Sequence, residues 1–407
     1  MKYKSAIEKS VRIMKKKIMI LGAGVYQVPL IKKSKELGYE TLVVSYEGNY
    51  PGFQFSDKNI YEDTTAYEKV AKIAQNENID GVCTAGTDVA LITLGKICDE
   101  LNLSGPSFEA VQLSTDKKKM KDAFINSDVR TAKYFNVSTL DQSNEAFKKL
   151  NKPAIFKAVD SSGSRGIIRV DKESEISAAF DYVMETTKKD YFIIEEFIIG
   201  EEFGAQAFIL NDEIKFIMPH GDMIFQGSTG VPIGHYVPYN LSTEIQRDIE
   251  TQLKYSIHAL KLNNCAINAD FILSDNKVYV LEIGARTGAT CLAEMVGIHF
   301  GFDYFEYVIK NCLGIKMEVH FKNKKIPCAG ELLTSSQSGT ITKITNENLM
   351  KQPYIEDISF DYKVNDQINK FNVGPDRIGQ IIVTGNTLEE SLNNLEFVKE
   401  KIKIELK

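Results

Sequence analysis

Between Lys17 and about Ser114, short apolar runs alternate with stretches in which apolar residues recur every three or four positions. KIMILG reads as a strand, Pro29–Leu37 as a helix, ETLVVS as a strand, Ala66–Asn76 as a helix, DGVCTAG as a strand and Val89–Leu101 as a helix. Such alternation predicts a parallel sheet with helices packed on its faces. From STDKKKM onward the pattern changes. PAIFKAV, GIIRV, YFIIEEFI, FGAQAFIL and EIKFIMP have the character of strands, and helical spacing is confined to Ser174–Thr187 before the long run from Thr243 to Leu262. After Gly314, CAGELLT, GTITKI and GQIIVTG read as strands closed by a helix Leu388–Ile404. Three segments follow: an α/β unit over 1–113 and two α+β units over 114–313 and 314–407.

At 407 residues the chain is long enough for two or three domains, and 43% hydrophobic with 26% charged residues is a globular composition, not a disordered one. The formal net charge of −6 offers no global attraction toward nucleic acid or an anionic membrane, so an anionic ligand must be held locally. Cys83, Cys98, Cys265, Cys291, Cys312 and Cys328 lie far apart with no CxxC pair, which predicts reduced interior thiols in a cytoplasmic protein. RIMKKKIMILGAGV places lysines before an apolar run as a signal peptide does, but the run is short and breaks into GAG as a first strand of an α/β sheet does. No stretch approaches the ~18 apolar residues of a membrane span.

Four constellations carry candidate chemistry. In ILGAGVYQVPLI, the third glycine of a GxGxxG dinucleotide fingerprint would fall at Gln27, and no acidic residue ends the second strand. A tight strand-to-helix turn is the plainer reading and a nicotinamide site the other. In PAIFKAVDSSGSRG a strand ends at Lys157, and Ser161, Ser162, Gly163, Ser164, Arg165 and Gly166 lead to the next strand. Small residues let backbone N–H groups approach phosphate oxygens, and a strand-end lysine can reach a terminal phosphate. Lying between two strands, this is no Walker A loop; a glycine-rich hairpin with a solvated lysine is the alternative. In YFIIEEFIIGEEF, Glu195 and Glu196 interrupt an apolar strand, and Glu202 follows the Gly200 turn. Strand neighbours face opposite ways, so one of the two points inward and needs a positive partner or a ligand, such as an amino group or a ribose diol, unless the strand is an exposed edge.

The fourth is AINADFILSDNKVYVLEIGARTGAT, two strands about a Ser-Asp-Asn-Lys turn. A three-residue loop, 275–277, pairs Ser274 with Val278 and sets Asp270 opposite Glu282, their Cβ atoms about 4.5–5.5 Å apart, which is destabilising without a cation between them. Oxygen donors so placed suit Mg²⁺. A four-residue loop puts the carboxylates on opposite faces.

In their order along the chain these segments resemble the ATP-grasp superfamily over most of the 407 residues. The closest look is to the carboxylate–amine ligases of the L-amino-acid ligase and carbamoyl-phosphate-synthetase-like groups. The resemblance implies a pre-ATP-grasp domain over 1–113, an ATP-grasp domain over 114–313 with a mobile lid at about 130–200, and a small C-terminal domain over 314–407. It implies that Lys117 and Lys157 contact ATP phosphates and that Ser161 through Gly166 close over them. Glu195, Glu196, Phe197 and Ile198 match the hinge strand that receives adenine, partly through backbone groups, and Glu202 matches the acid on the ribose hydroxyls. Asp270 and Glu282 match the Mg²⁺ carboxylates, a site that Mn²⁺ can also fill. Arg286 matches the arginine that steadies transferred phosphoryl or acyl oxygens, with Gly288 beside it at the substrate. The family commonly carries asparagine two residues after the second carboxylate. Here that residue is Gly284, so water or Asn268, which shares a strand face with Asp270, is expected to supply the missing oxygen.

The chemistry so implied passes the γ-phosphoryl of ATP to a small carboxylate, an amino acid or related acid, and an amine then displaces phosphate from the acyl phosphate. Such catalysis is electrostatic and needs no side-chain nucleophile. MPHGDMIFQGSTGVPIGHYVPYN offers His220 and His235 for substrate binding, with Asp222 and Tyr236 close in sequence. A metal at His220, Asp222 and His235 is a further reading, although the spacing matches no standard site. A bicarbonate-using carboxylase or carbamoyl-phosphate-type enzyme is an alternative, weakened by the lack of a biotin-attachment Met-Lys-Met and of a glutaminase domain. A nucleotide-binding protein without turnover is another, motivated by Gly284. A homodimer is implied by the resemblance alone.

Overall fold

The computed structural model describes residues 15–161, 163, 165–225, 231–318, 320–346 and 349–407. The N-terminal sheet is parallel, in the order Lys58–Tyr61, Glu40–Ser45, Lys17–Leu21 and Gly81–Cys83. Alternation along its strands feeds two cores. Ile18 and Ile20 enter one with Leu30, Ile31 and Ile309, while Met19 and Leu21 enter the other with Val70, Ala74 and Ile97. Both faces are covered by helices, which is why Lys17–Leu21, Glu40–Ser45 and Gly81–Cys83 are mostly buried, while the edge strand Lys58–Tyr61 stays largely exposed. Val28–Glu36 starts with proline in its first turn, and Tyr67–Glu77 and Leu91–Leu101 end on left-handed asparagines, Asn78 and Asn102.

A second, antiparallel sheet runs Tyr134–Val137, Phe192–Glu196, Ala154–Lys157, Ile167–Val170, with a core around Phe147, Phe156, Ala179 and Phe192. The helix Ile176–Thr186 forms as expected, but it is not the only one ahead of the long helix, which corrects the sequence reading. Leu140–Lys149 and Lys117–Ile125 are helices too, capped by the side chains of Thr139 and Asp116. Both are short and polar, with too few apolar positions for a period to emerge, so their N-caps were the stronger signal.

The central sheet has eight strands in the order Lys277–Gly284, Cys265–Ser274, Glu201–Leu210, Glu213–Ile224, Pro232–Val237, Cys328–Leu333, Gly379–Thr384, Ile355–Phe360. It continues across residue 314, because Pro232–Val237 pairs with Cys328–Leu333. The helix Thr243–Ala259 lies behind the Cys265–Gly284 hairpin, burying Ile249 and Leu253 against it. The last helix spans Leu388–Lys401, shorter than Leu388–Ile404, because the chain then turns extended and Lys403–Leu406 pairs with Gly339–Thr345. Among the described residues no helix is long and apolar enough to cross a membrane.

Candidate active site

The hairpin turns on two residues, Asp275 and Asn276, with φ of 49° and 57°, as a type I′ turn requires. The three-residue loop does not form: Ser274 pairs with Lys277 and Leu273 with Val278. Asp270 nevertheless lies opposite Glu282 and Asn268 opposite Gly284, because the register shifts by one between the pairs Phe271–Val280 and Asp270–Glu282. Leu281 is the extra residue of a β-bulge. In an unbulged ladder Asp270 would face Leu281, and Glu282 would turn to the other face.

Asp270 borders the open cleft, and among the described residues no ion pair or side-chain hydrogen bond reaches it. The protein packed around it, and then the carboxylates of Glu282 and Asp222, push its carboxyl up to about 7. Glu282 accepts a hydrogen bond from Lys117 Nζ at 2.9 Å. An all-oxygen donor pair with one member lacking a cation fits Mg²⁺.

Lys117, at the start of its helix, also donates to the Ser161 carbonyl at 2.8 Å, tying the hairpin to the expected phosphate loop. Ser162 and Ser164 lie outside the described residues. Gly163 and Gly166 both have positive φ; a Cβ at Gly163 would meet nothing within 4 Å, whereas one at Gly166 would come 2.7 Å from Ala158 Cβ. Gly163 therefore borders open space, and Gly166 is pressed against Ala158 and Thr186.

Of the two adjacent glutamates, Glu195 points inward. It is only 2% exposed, with Lys157 Nζ 2.8 Å from Oε2 and Lys121 Nζ 3.2 Å from Oε1. Burial opposes its ionisation, but the two lysines outweigh that and hold the carboxyl at about 2. The inward carboxylate is thus met by two ammonium groups of the chain, the positive partner that the strand pattern called for. Lys121 was missed in the sequence. It follows Lys117 by four residues on one helix face, a like-charge spacing that calls for acids opposite. Glu196 turns outward and accepts from the Lys133 amide at 2.9 Å. The Phe197 amide donates to Pro153 O at 3.2 Å, and its ring carries the Arg169 guanidinium 4.7 Å from the centroid. The Ile198 backbone has no hydrogen-bond partner among the described residues. Glu202 is exposed, and the charges of Glu282 and Glu202 are both felt at Lys157, so the two acids lie near it.

Arg286 Nε and Nη2 donate to the two carboxylate oxygens of Asp88, each at 2.9 Å, and Nη1 to Thr287 O at 3.2 Å. Asp88, from the N-terminal segment, has no motif around it and went unnoticed in the sequence. The Asn268 side-chain oxygen accepts from Gln206 Nε2 at 2.7 Å, while Gln206 Oε1 accepts from the Gly288 amide at 2.8 Å. Asn268 thus supports the Gly288 turn through Gln206.

His220 and His235 come together across adjacent strands, with Nδ1 atoms 2.9 and 2.7 Å from the same oxygen of Asp222. Burial holds the His220 imidazole below its usual pKa, so it is neutral, and hydrogen-bonding to Asp222 assigns the proton to Nδ1. That leaves Nε2 as an acceptor. The three ligand atoms lie within 4.8 Å of one another, close enough to share a metal ion as well as protons. The charges of Asp222 and His220 are felt at Asp270, so the cluster adjoins the carboxylate pair. The GAG turn is filled by its own neighbour: Gln27 Oε1 accepts from the Gly24 amide at 2.9 Å and lies 2.8 Å from where a Cβ of Gly22 would be. The turn serves packing.

Two sequence families match the chain, the phosphoribosylglycinamide synthetase ATP-grasp (A) domain over residues 115–290 and the L-amino acid ligase C-terminal domain 2 over 331–407. Over 97% of this chain and 100% of the other, it is 37% identical to the crystal structure of phosphoribosylglycinamide synthetase from Anaerococcus prevotii, with a TM-score of 0.84. The L-amino acid ligase from Bacillus licheniformis shares the fold, at 20% identity and a TM-score of 0.79 over 97% of this chain and 99% of that one. The formate-dependent phosphoribosylglycinamide formyltransferase of Methanocella arvoryzae is 24% identical over 315 residues, 74% of this chain and 72% of that protein.

Proposed function

The chain belongs to the ATP-grasp family and is an ATP- and Mg²⁺-dependent ligase that forms C–N bonds with release of ADP; we propose that it activates an amino acid or related small carboxylate with the residues assembled above. The likeness to a phosphoribosylglycinamide synthetase and to an L-amino acid ligase domain supports an amino acid as one of the joined partners. A carboxylate is a poor acyl donor because oxide would have to leave. Transfer of the γ-phosphoryl makes phosphate the leaving group instead.

In this reading Asp270 and Glu282 would hold Mg²⁺, which when bound neutralises phosphoryl charge and orients the phosphates. Lys117 and Lys157 add fixed positive charge over the same group. Arg286 stabilises the oxyanion of the tetrahedral adduct formed when the amine attacks. His220 and His235, joined through Asp222, are assigned to binding the substrate. Residues 1–113, 114–313 and 314–407 act as pre-grasp, grasp and C-terminal domains in this proposal. The six buried free cysteines support a reducing, cytoplasmic location. Self-association into a homodimer is supported by the resemblance alone, and equilibrium sedimentation tests it.

The observation that carries the reading is Asp270 set opposite Glu282 with no cation of its own, beside Lys117. Its test is ADP release from ATP with amino acids supplied singly and in pairs. Stimulation by a carboxylate together with an amine is the expected result. Stimulation by bicarbonate alone, or tight nucleotide binding with no turnover under any pairing, contradicts it.

A further inference from the structure

Asp88 reaches the hairpin from the loop between the strand Gly81–Cys83 and the helix Leu91–Leu101. On the hairpin, Asp270 pairs with Glu282 and Asn268 with Gly284, and residues two apart share a face, so all four positions lie on the cleft side of the ladder. Gly284 is the position of that face without a side chain. Asp88 Oδ1 lies 2.9 Å from the point where a Cβ of residue 284 would stand. A carboxylate from the N-terminal segment therefore fills the volume that a side chain at 284 would take, two residues along from Glu282. Its two oxygens each accept one hydrogen bond from Arg286, and a carboxylate oxygen has a second lone pair to offer. Arg286 in turn feels the charges of Asp88, Asp270 and Glu282, so the three acids are grouped around it.

We propose that Asp88 is the third oxygen-donor side chain of the divalent-cation site, delivered through the gap at Gly284 by a different segment of the chain from the one that carries Asp270 and Glu282. Glycine at 284 is then a requirement, since any side chain there would exclude the incoming carboxylate. The cation site is complete only when the N-terminal segment is seated on the hairpin, so binding the cation holds the two segments together. The proposal rests on the reading of Asp270 and Glu282 as the Mg²⁺ site.

The test is Mn²⁺ binding to the full chain in the presence of ADP, followed by the loss of free-Mn²⁺ paramagnetic resonance signal. Asp88→Ala should weaken Mn²⁺ about tenfold or more. Gly284→Asn should also weaken it, because the new side chain collides with Asp88. The double variant Asp88→Ala/Gly284→Asn should return to within about threefold of the natural protein, the non-additivity that marks two residues sharing one place. If Asp88→Ala melts early, Asp88→Asn keeps the size and one acceptor oxygen and should weaken Mn²⁺ in the same direction. Unchanged Mn²⁺ affinity in the folded Asp88 variant, or a double variant that binds no better than Asp88→Ala, overturns the proposal and makes Asp88 an interdomain ion pair only. Asp270→Ala separates the two levels: if it too leaves Mn²⁺ binding unchanged, the metal-site reading itself fails.

Discussion

Two acidic clusters differ in how their charge is met. In the four-stranded antiparallel sheet, Glu195 is sealed in and held between Lys121 and Lys157, and its carboxyl stays ionised down to about 2. On the hairpin, Asp270 faces another carboxylate, and its own carboxyl is pushed up to about 7. Burial cannot be the cause of the difference, because Glu195 is the more deeply buried of the two and yet the one that stays ionised. The separation comes from direct ion pairs: two ammonium groups hold Glu195, while Asp270 has none and feels Arg286 only as a charge already paired with Asp88. The satisfied cluster fixes lysines in place, and the unsatisfied one is where the proposed cation would bind.

The comparison breaks first at Asp270. Replacing it by alanine should lower the turnover of MgATP about 10³-fold, since charge stabilisation by a metal is worth several kcal/mol and each 1.36 kcal/mol is tenfold. The melting temperature should stay level or rise, because an unpaired acid has been removed; a large fall in stability with little loss of turnover would reverse the roles of the two clusters. Glu195→Gln should do the opposite, costing about 3 kcal/mol at neutral pH by leaving buried lysines without their acid. Because the folded-state pKa of about 2 lies below the usual 4.5, Glu195 stabilises fully above pH 4.5 and loses this as pH falls toward 2. Urea unfolding should accordingly show the gap between natural and variant protein closing over that window.

Smaller effects sharpen the contrast. Gly166→Ala should cost about 2 kcal/mol and Gly163→Ala about 1, since both force an L-residue into the left-handed region but only Gly166 would also collide with Ala158. Thermal melts of the two variants decide it. Asp222 is an intermediate case, an acid met by N–H groups of two imidazoles instead of ammonium ions. Asp222→Asn should raise the KM for the carboxylate or amine substrate about tenfold, the scale of one hydrogen bond to a charged group, and leave nucleotide affinity unchanged. A change in nucleotide affinity would move the histidine pair from the substrate to the phosphates.

Much of this contrast was legible in the chain. Asp270 opposite Glu282 follows from strand pattern and turn residues, yet the loop that led to it was one residue too long. A bulge at Leu281 made up the difference. Bulges leave no mark in an apolar run, because Leu281 is as suited to the strand as its neighbours. The inward turn of one of Glu195 and Glu196 was forced by two-residue alternation, but its partner Lys121 lies 74 residues away and only the packing of the helix Lys117–Ile125 on that sheet brings it in. Gly284 was visible as a missing side chain. What fills the gap was not, since Asp88 sits in an unremarkable TAGTDVA loop and is placed by how two segments meet. Local pattern thus reached the strands and their faces, while the cations and acids that complete the site came from chain crossings that no window of sequence contains.

The most direct measurement is calorimetric titration of ADP into the protein with Mg²⁺ and with chelator, for the natural chain and for Asp270→Asn. Tight binding that needs Mg²⁺ in the natural chain, and that loses its dependence on Mg²⁺ in the variant, is the expected result. Equal binding with chelator, or an undiminished magnesium requirement in Asp270→Asn, would contradict the assignment of the opposed carboxylates to the cation.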